Sequence, residues 1–215
     1  MATILELRQE PHWSFSAMNT YLNMCSLKYA FQYVYGAEVE RTAASLPFGR
    51  AFHLAASEHA RQVMQGKRMT LPELHEVFAE WFKAECAVCV NLVFKSGETM
   101  DSLIEQAKFM LDALLARWID WDNIVSVAQA FKVDVPGLDR PFIGEYDMVI
   151  KEGTVATIVD WKTSATRWPS GKADKDLQAT AFSYAFAQTS GKIPGFRFDV
   201  VTKTKNPNFD NLYTS

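Results

Sequence analysis

Outside the turn residues Lys151 and Glu152, Glu145, Asp147, Asp160 and Lys162 put three carboxylates and an ammonium into a short, mostly apolar and β-branched stretch, Phe142–Thr163. The stretch reads as two strands, Pro141–Lys151 and Val155–Thr163, joined by the turn signal Lys151-Glu152-Gly153-Thr154. Side chains alternate along a strand, so Asp160 and Lys162 point the same way, about 7 Å apart. A two- or four-residue loop makes paired residue numbers sum to an odd value. Asp147 and Asp160 then share one face with Lys162 and Glu145. A three- or five-residue loop breaks that parity unless a bulge restores it. Such a face is costly to bury without partners, and a hard divalent cation makes it favourable. The alternative is the solvated face of an edge hairpin. Ile158, Val159 and Trp161 around Asp160 favour a central strand instead.

The rest of the chain supplies elements to position this hairpin. Upstream, Ile124–Val135 alternates, with Val125, Val127, Phe131, Val133 and Val135 on odd positions, and Pro136-Gly137 turns it. Downstream comes a loop, Ser164–Lys172, then a helix from Ala173 to Gln188 with Gln178, Phe182 and Phe186 on one stripe and Tyr184 off it. Gly191 and Pro194 end that unit, Phe196–Thr204 is a last strand, and the polar tail Lys205–Ser215 has no pattern. At the N-terminus, Ser14 or Ser16 caps an unusually aromatic helix that runs to Tyr35 and stops at Gly36. Its aromatic residues divide between core and a surface on which bases could stack. Glu38–Leu46 is a loop. A second helix, Pro47 to Gln65, carries His53 on a face otherwise made small by Gly49, Ala56 and Ala60. Leu71–Phe94 and Thr99–Trp121 read as two further helices. The second has a stripe of Leu103, Ala107, Met110, Leu111, Leu114, Leu115 and Trp118. Cys86 and Cys89 lie in the first and read as packing.

The chain has 215 residues, 48% of them hydrophobic, enough for one sizeable core. Helix, three meandering strands, helix and strand in that order give an α/β class. The expected architecture is a three-layer α/β/α sandwich with a central mixed β-sheet and an N-terminal and inserted helical region. The reading is one domain over 1–215, with 67–122 a helical insert and 123–205 the sheet core. No apolar run is long enough to span a membrane, the first residues, with no basic n-region and no apolar h-region, do not read as a signal peptide, and three cysteines are not a disulfide framework, so a reducing cytoplasm is the expected setting. Net charge is −3, but the segment Trp161–Lys205 has eight basic and three acidic side chains, a local +5 beside the acidic hairpin. A polyanion could lie there.

The element order, Gly144-x-x-Asp147, Asp160-x-Lys162 and the helix bearing Gln178 resemble the PD-(D/E)XK nuclease superfamily. The Ser-Phe-Ser helix ending in Tyr-x-Tyr-Gly, together with Gly49-x-x-x-His53, resembles its RecB-type exonuclease branch. The resemblance covers nearly the whole chain. It implies a restriction-endonuclease-like core and a Mg²⁺ or Mn²⁺ held by Asp147, Asp160, His53 and the Trp161 carbonyl. Lys162 would act on the attacking water, with Gln178 and Glu145 in support. DNA contacts would come from Arg167, Lys172, Lys175, Trp168, Tyr184 and Ser16. Phe182 stands where the family commonly has tyrosine, and Tyr184 lies two residues on. Relatives that bind a [4Fe–4S] cluster use one cysteine in the first helix and three near the C-terminus. Cys25 matches the first, and with no C-terminal cysteines no cluster is expected. A C-terminal segment of relatives is expected to be missing. The implied activity is exonucleolytic on DNA ends or single strands in repair or recombination. The alternatives are a structure-specific endonuclease and a catalytically silent DNA-binding subunit. Homo-oligomers or recombination-complex partners are compatible with it.

Overall fold

The computed structural model describes residues 2–117 and 123–214. A mixed sheet is flanked by helices on both faces. On one face α4 (Ser45–Met64), α5 (Leu71–Ala87) and α6 (Met100–Arg117) enclose Phe48, Phe52, Phe78, Phe82, Leu111 and Leu114 against Met148, Val159 and Trp161 of the sheet. On the other, α7 (Leu177–Ser190) covers Phe131, Phe142, Tyr146, Ile158 and Phe198. The expected α/β/α sandwich is therefore present.

The hairpin is β5 (Phe142–Glu152) and β6 (Val155–Ser164). Its loop is the two residues Gly153 and Thr154, since Glu152 pairs with Val155. Gly153 supplies the left-handed φ of +62° that a tight hairpin requires. β4 (Ile124–Val133) runs antiparallel along one edge of β5. The crossover through α7 brings β7 (Gly195–Thr202) parallel to β6, as its position in the chain demands. Gly191, with φ +69°, ends α7.

Local signals misled the reading in several places. The tail is not patternless: β8 (Phe209–Tyr213) pairs antiparallel with β7. Thr42–Ala43 (β2) and Leu92–Val93 (β3) form a small parallel ladder, so the loop at 38–46 is shorter than read and α5 stops at Ala87 rather than Phe94. Trp118 and the helix end placed at Trp121 lie outside the described residues. A short α1 (Ile4–Leu7) has a Thr3–Glu6 capping box, and β1 (Trp13–Ser14) pairs parallel with β5. Ser14, not Ser16, caps the aromatic helix, accepting from the Ala17 N–H at 3.3 Å. That helix is not continuous. α2 (Phe15–Asn19) leads into a π turn at Thr20–Met24, Cys25 is extended, and α3 (Ser26–Tyr29) leads into a second π turn at Ala30–Val34.

Nor does β4 keep one apolar face. Val127 packs on the α4 side, whereas Phe131 and Val133 pack on the α7 side. The switch falls at Ala128, whose φ is +49°. Beyond it Phe131 lies across from Gly144. A Cβ on Gly144 would meet the Phe131 ring at 2.4 Å, so this glycine is required for packing. Gly144→Ala is expected to cost about 1–3 kcal/mol by overpacking, read as a lower denaturant midpoint at unchanged m-value.

His59 of α4 is only 3% exposed. Burial, with the Arg68 charge nearby, lowers its pKa to about 4. Between that value and the ordinary 6.5 the unfolded chain binds a proton that the folded chain refuses, so stability falls as pH drops through this window, by up to about 3 kcal/mol. Unfolding curves at neutral and mildly acidic pH are expected to show a shallower loss in His59→Gln than in the parent. Equal losses would contradict this.

Candidate active site

The β5–β6 ladder ends at Met148 and Val159. Beyond that point β6 pairs only with β7, through Ser164, and the freed edge of β5 is taken up again by β1 at Phe142 and Ile143. The edge from Gly144 to Asp147 therefore borders an open notch. Where the next ladder bond would form, the Trp161 N–H donates instead to Asp147 Oδ2 at 2.8 Å. Tyr146 and Met148 pack on opposite sides of the sheet, although strict alternation would put them on the same side. β5 therefore twists sharply at Asp147, across from Ala128, and the carboxylate turns into the notch.

Two helices bring groups to the two aspartates. From α4, His53 Nδ1 lies 3.2 Å from Asp147 Oδ1, with its ring edge-on to Trp161 at 6.2 Å between centroids. Gly49, one turn earlier, faces Thr163, and a Cβ there would make an ordinary van der Waals contact, 4.0 Å from Thr163 Oγ1. From α7, Gln178 Oε1 accepts from Lys162 Nζ at 2.8 Å, and Gln178 Nε2 donates to Asp160 Oδ1 at 2.5 Å. Lys162 Nζ is also 2.5 Å from Asp160 Oδ2. Gln178 is held in turn by Asp176, the N-cap of α7, which accepts from the Gln178 N–H at 3.0 Å. Asp176 is a positioning residue that the functional reading of the sequence did not single out. Its signal was an aspartate just before an apolar helix.

The charges are mutually dependent. Burial raises the proton affinity of Asp160, the Lys162 ammonium opposes it and Asp147 reinforces it, so the carboxyl is pushed up to about 6. For Asp147, burial acts in the same direction but is outweighed by His53, Lys162 and the Trp161 N–H, and its pKa is lowered. Burial disfavours charge on His53 and on Lys162, but the aspartates outweigh it and raise both pKa values. Glu145 is raised by burial and by Asp147, against the pull of Arg8 and Arg61.

Among the described residues no three His, Cys, Asp or Glu side chains stand ready as a metal-ligand cluster. His53 is turned to Asp147, and Asp160 to Lys162 and Gln178. The donor types nevertheless fit a divalent cation. Asp160 Oδ2 is buried without a hydrogen bond of acceptable geometry, and two carboxylates with one imidazole are a donor set that Mg²⁺ or Mn²⁺ accepts. Cys25 is exposed, far in sequence from buried Cys86 and half-buried Cys89.

The other expected contacts are dispersed. Arg167 makes a bidentate pair with Asp210. Lys172 lies 4.0 Å above Trp168, which packs on Phe198 at 5.1 Å. Lys175 and Ser16 are exposed. Phe182 is buried against Tyr146 and Phe131. Tyr184 lines an apolar groove with Leu22, Leu138 and Leu177 rather than joining Asp160 and Lys162. No described helix is long and apolar enough to cross a membrane.

Residues 12–209 match the family model of the PD-(D/E)XK nuclease superfamily. The crystal structure of a protein named "Putative exonuclease" from Eubacterium rectale superposes on 100% of this chain and 78% of that chain, with a TM-score of 0.65 at 13% identity. A second solved structure, SSO0001, overlaps 87% of this chain and 75% of that chain at 9% identity, with a TM-score of 0.34. No curated protein gives a significant sequence match.

A cation entering the notch competes with the proton on Asp160. Mn²⁺ affinity is expected to weaken below pH about 6, by up to about tenfold per pH unit. Calorimetric titration of Asp160→Asn is expected to lose most of the affinity and this pH dependence. Unchanged binding in the variant would contradict the assignment.

Proposed function

The chain belongs to the PD-(D/E)XK nuclease superfamily, and from that premise we propose that it is a divalent-metal-dependent deoxyribonuclease, acting as a RecB-like exonuclease on DNA ends or single strands during repair or recombination. The observation that carries this reading is the clamp on Lys162. An ammonium is fixed between Asp160 and Gln178, at the mouth of a notch whose other wall is Asp147. Three buried or half-buried charges held this way stabilise no hydrophobic packing that apolar residues would not stabilise better.

Asp147, Asp160 and His53, with the Trp161 carbonyl, would hold Mg²⁺ or Mn²⁺. When bound, the ion supplies Lewis-acid polarisation of the phosphodiester and acidifies a water. The protein's part is positional and electrostatic. Lys162, aimed by Gln178 and through it by Asp176, offsets the negative charge that develops on the phosphorane. His53 takes up or releases a proton as its pairing with Asp147 is exchanged. Glu145, whose carboxyl is already inclined to hold a proton, is a reserve acceptor at the notch. Lys172, Lys175 and Arg167, on the loop and turn between β6 and α7, would meet the backbone; Arg167 would first exchange its Asp210 partner, and Lys172 its position over Trp168. The exonuclease preference rests on the RecB-like motifs and on the name of the similar Eubacterium rectale protein.

End-labelled single- and double-stranded DNA is expected to lose label with Mn²⁺ or Mg²⁺ and not with EDTA, while a closed circle stays intact. Asp147→Ala, Asp160→Ala and Lys162→Ala should each lower the rate by at least about 10²–10³ in protein that circular dichroism shows to be folded, with a lower melting temperature where a buried partner is left unpaired. Cleavage in EDTA, or parental rates in Asp160→Ala and Lys162→Ala, would overturn the proposal.

A further inference from the structure

The N-terminal arm contains a feature that the catalytic notch does not use. Trp13 and Tyr29 face each other nearly in parallel, with ring planes 12° apart and centroids 6.4 Å apart. A cavity of about 180 Å³ lies between Trp13, Met18, Tyr21, Leu22 and Tyr29. A centroid separation of 6.4 Å is that of an offset stack, so the two rings form an aromatic wall of this cavity, against which a flat ring can lie.

The arm holds the rings that line this slot in place. The Trp13 indole is fixed by its Nε1–H to Asp139 Oδ1 at 3.0 Å, and its backbone N–H is fixed to Pro141 O at 2.9 Å. The π turn at Thr20–Met24 and the extended Cys25 break the helix, so that α3 folds back. Tyr29 is thereby braced edge-on by Tyr21 and stacked on Tyr33, each at 5.3 Å. π turns within helices are uncommon and concentrate at functional sites. Tyr21 and Leu22 remain 55% and 63% exposed, which leaves the slot accessible. The surrounding sequence from Pro11 to Ala37 contains no aspartate or glutamate and one lysine, Lys28. The carboxylate beside the slot is that of Asp139, which is engaged by the Trp13 indole.

The slot and the notch share one strand edge. Trp13 pairs with Phe142 on the β5 edge that carries Asp147. Five strand residues separate Phe142 from Asp147, about 17 Å. That is at most about five nucleotides at the stacked rise of about 3.4 Å.

We propose that the Trp13–Tyr29 slot takes one unpaired nucleobase of a single-stranded polynucleotide whose backbone continues into the Asp147–Lys162 notch. The proposal rests on the nuclease reading for the identity of the polyanion. Stacking is tolerant of sequence, so the slot measures strandedness rather than base identity. It would bias the enzyme toward frayed or single-stranded ends, because a paired base cannot enter.

The test uses the full chain and a fluorescent oligothymidylate with Ca²⁺ in place of Mg²⁺. Tyr29→Leu and Trp13→Leu each keep apolar bulk and remove one stacking face. Each is expected to weaken binding about 5- to 100-fold. Both should leave Mn²⁺-dependent hydrolysis of bis(p-nitrophenyl) phosphate, a diester too small to span the two sites, at the parental rate. With the parent protein, a single abasic nucleotide scanned along the oligonucleotide should weaken binding at one position within about five nucleotides of the cut. That penalty should vanish in Tyr29→Leu. Parental affinity in both variants with a flat abasic scan would overturn the slot while leaving the nuclease standing. Intact slot-dependent binding with no hydrolysis of either substrate would overturn the nuclease reading and keep the slot. Sedimentation showing that the variants dissociate an oligomer, with DNA affinity unchanged, would assign the arm to a protein interface and overturn the proposal.

Discussion

The bond from the Trp161 N–H to the Asp147 carboxylate, 2.8 Å long, is the constraint on which the site depends. A regular ladder would spend that N–H on a β5 carbonyl and keep β5 and β6 zipped to their ends. By substituting a side-chain oxygen, Asp147 satisfies a buried donor and stops the zipper at Met148 and Val159. Everything catalytic follows from the resulting fork. β6 continues with β7, which keeps Asp160 and Lys162 rigid. β5 continues with β4, which keeps Asp147 rigid. The gap between them is open without a mobile loop.

Such a fork is unstable as a set of isolated charges. Asp160 is 4% exposed, and a lone carboxylate there would shed its charge by binding a proton. The partners come from outside the sheet, one from each flanking layer. His53 of α4 answers Asp147, and Gln178 of α7 bridges Asp160 and Lys162. The two hydrophobic layers therefore do more than cover the sheet: by fixing α4 and α7 they fix the electrostatics of the notch. Phe131 over Gly144 shows the same coupling, because the ring that packs on α7 lies against the backbone of the notch wall.

Much of this was legible in the sequence where chemistry and periodicity coincided. The turn signal left a two- or four-residue loop open; the observed loop of Gly153 and Thr154 keeps the parity that brings Asp147 and Asp160 toward each other, while the turn of Asp147 into the notch comes from the break in alternation between Tyr146 and Met148. Gly49 and His53, four residues apart, gave the helix face that meets the site. The Asp-x-Lys pair and Gln178 were found because polar residues in apolar elements stand out. What was not legible depended on backbone events with no residue signature. Ala128 carries φ +49°, yet nothing marks an alanine as the point where β4 changes faces. Cys25 breaks the first helix without glycine or proline. β1 is two residues long, and β8 is polar because it lies at the sheet edge, so neither alternates enough to be read. Asp176 fell inside a helix read as starting at Ala173; its capping role appears only with α7 beginning at Leu177 and with Gln178 seen to hold Lys162.

A crystal structure with Mn²⁺, read by its anomalous signal, tests the central claim most directly. The account predicts one strong peak in the notch bonded to both Asp147 and Asp160, with the β5–β6 ladder still ending at Met148 and Val159. A peak elsewhere, or a ladder that closes through Asp147 and Asp160 in active protein, would contradict it.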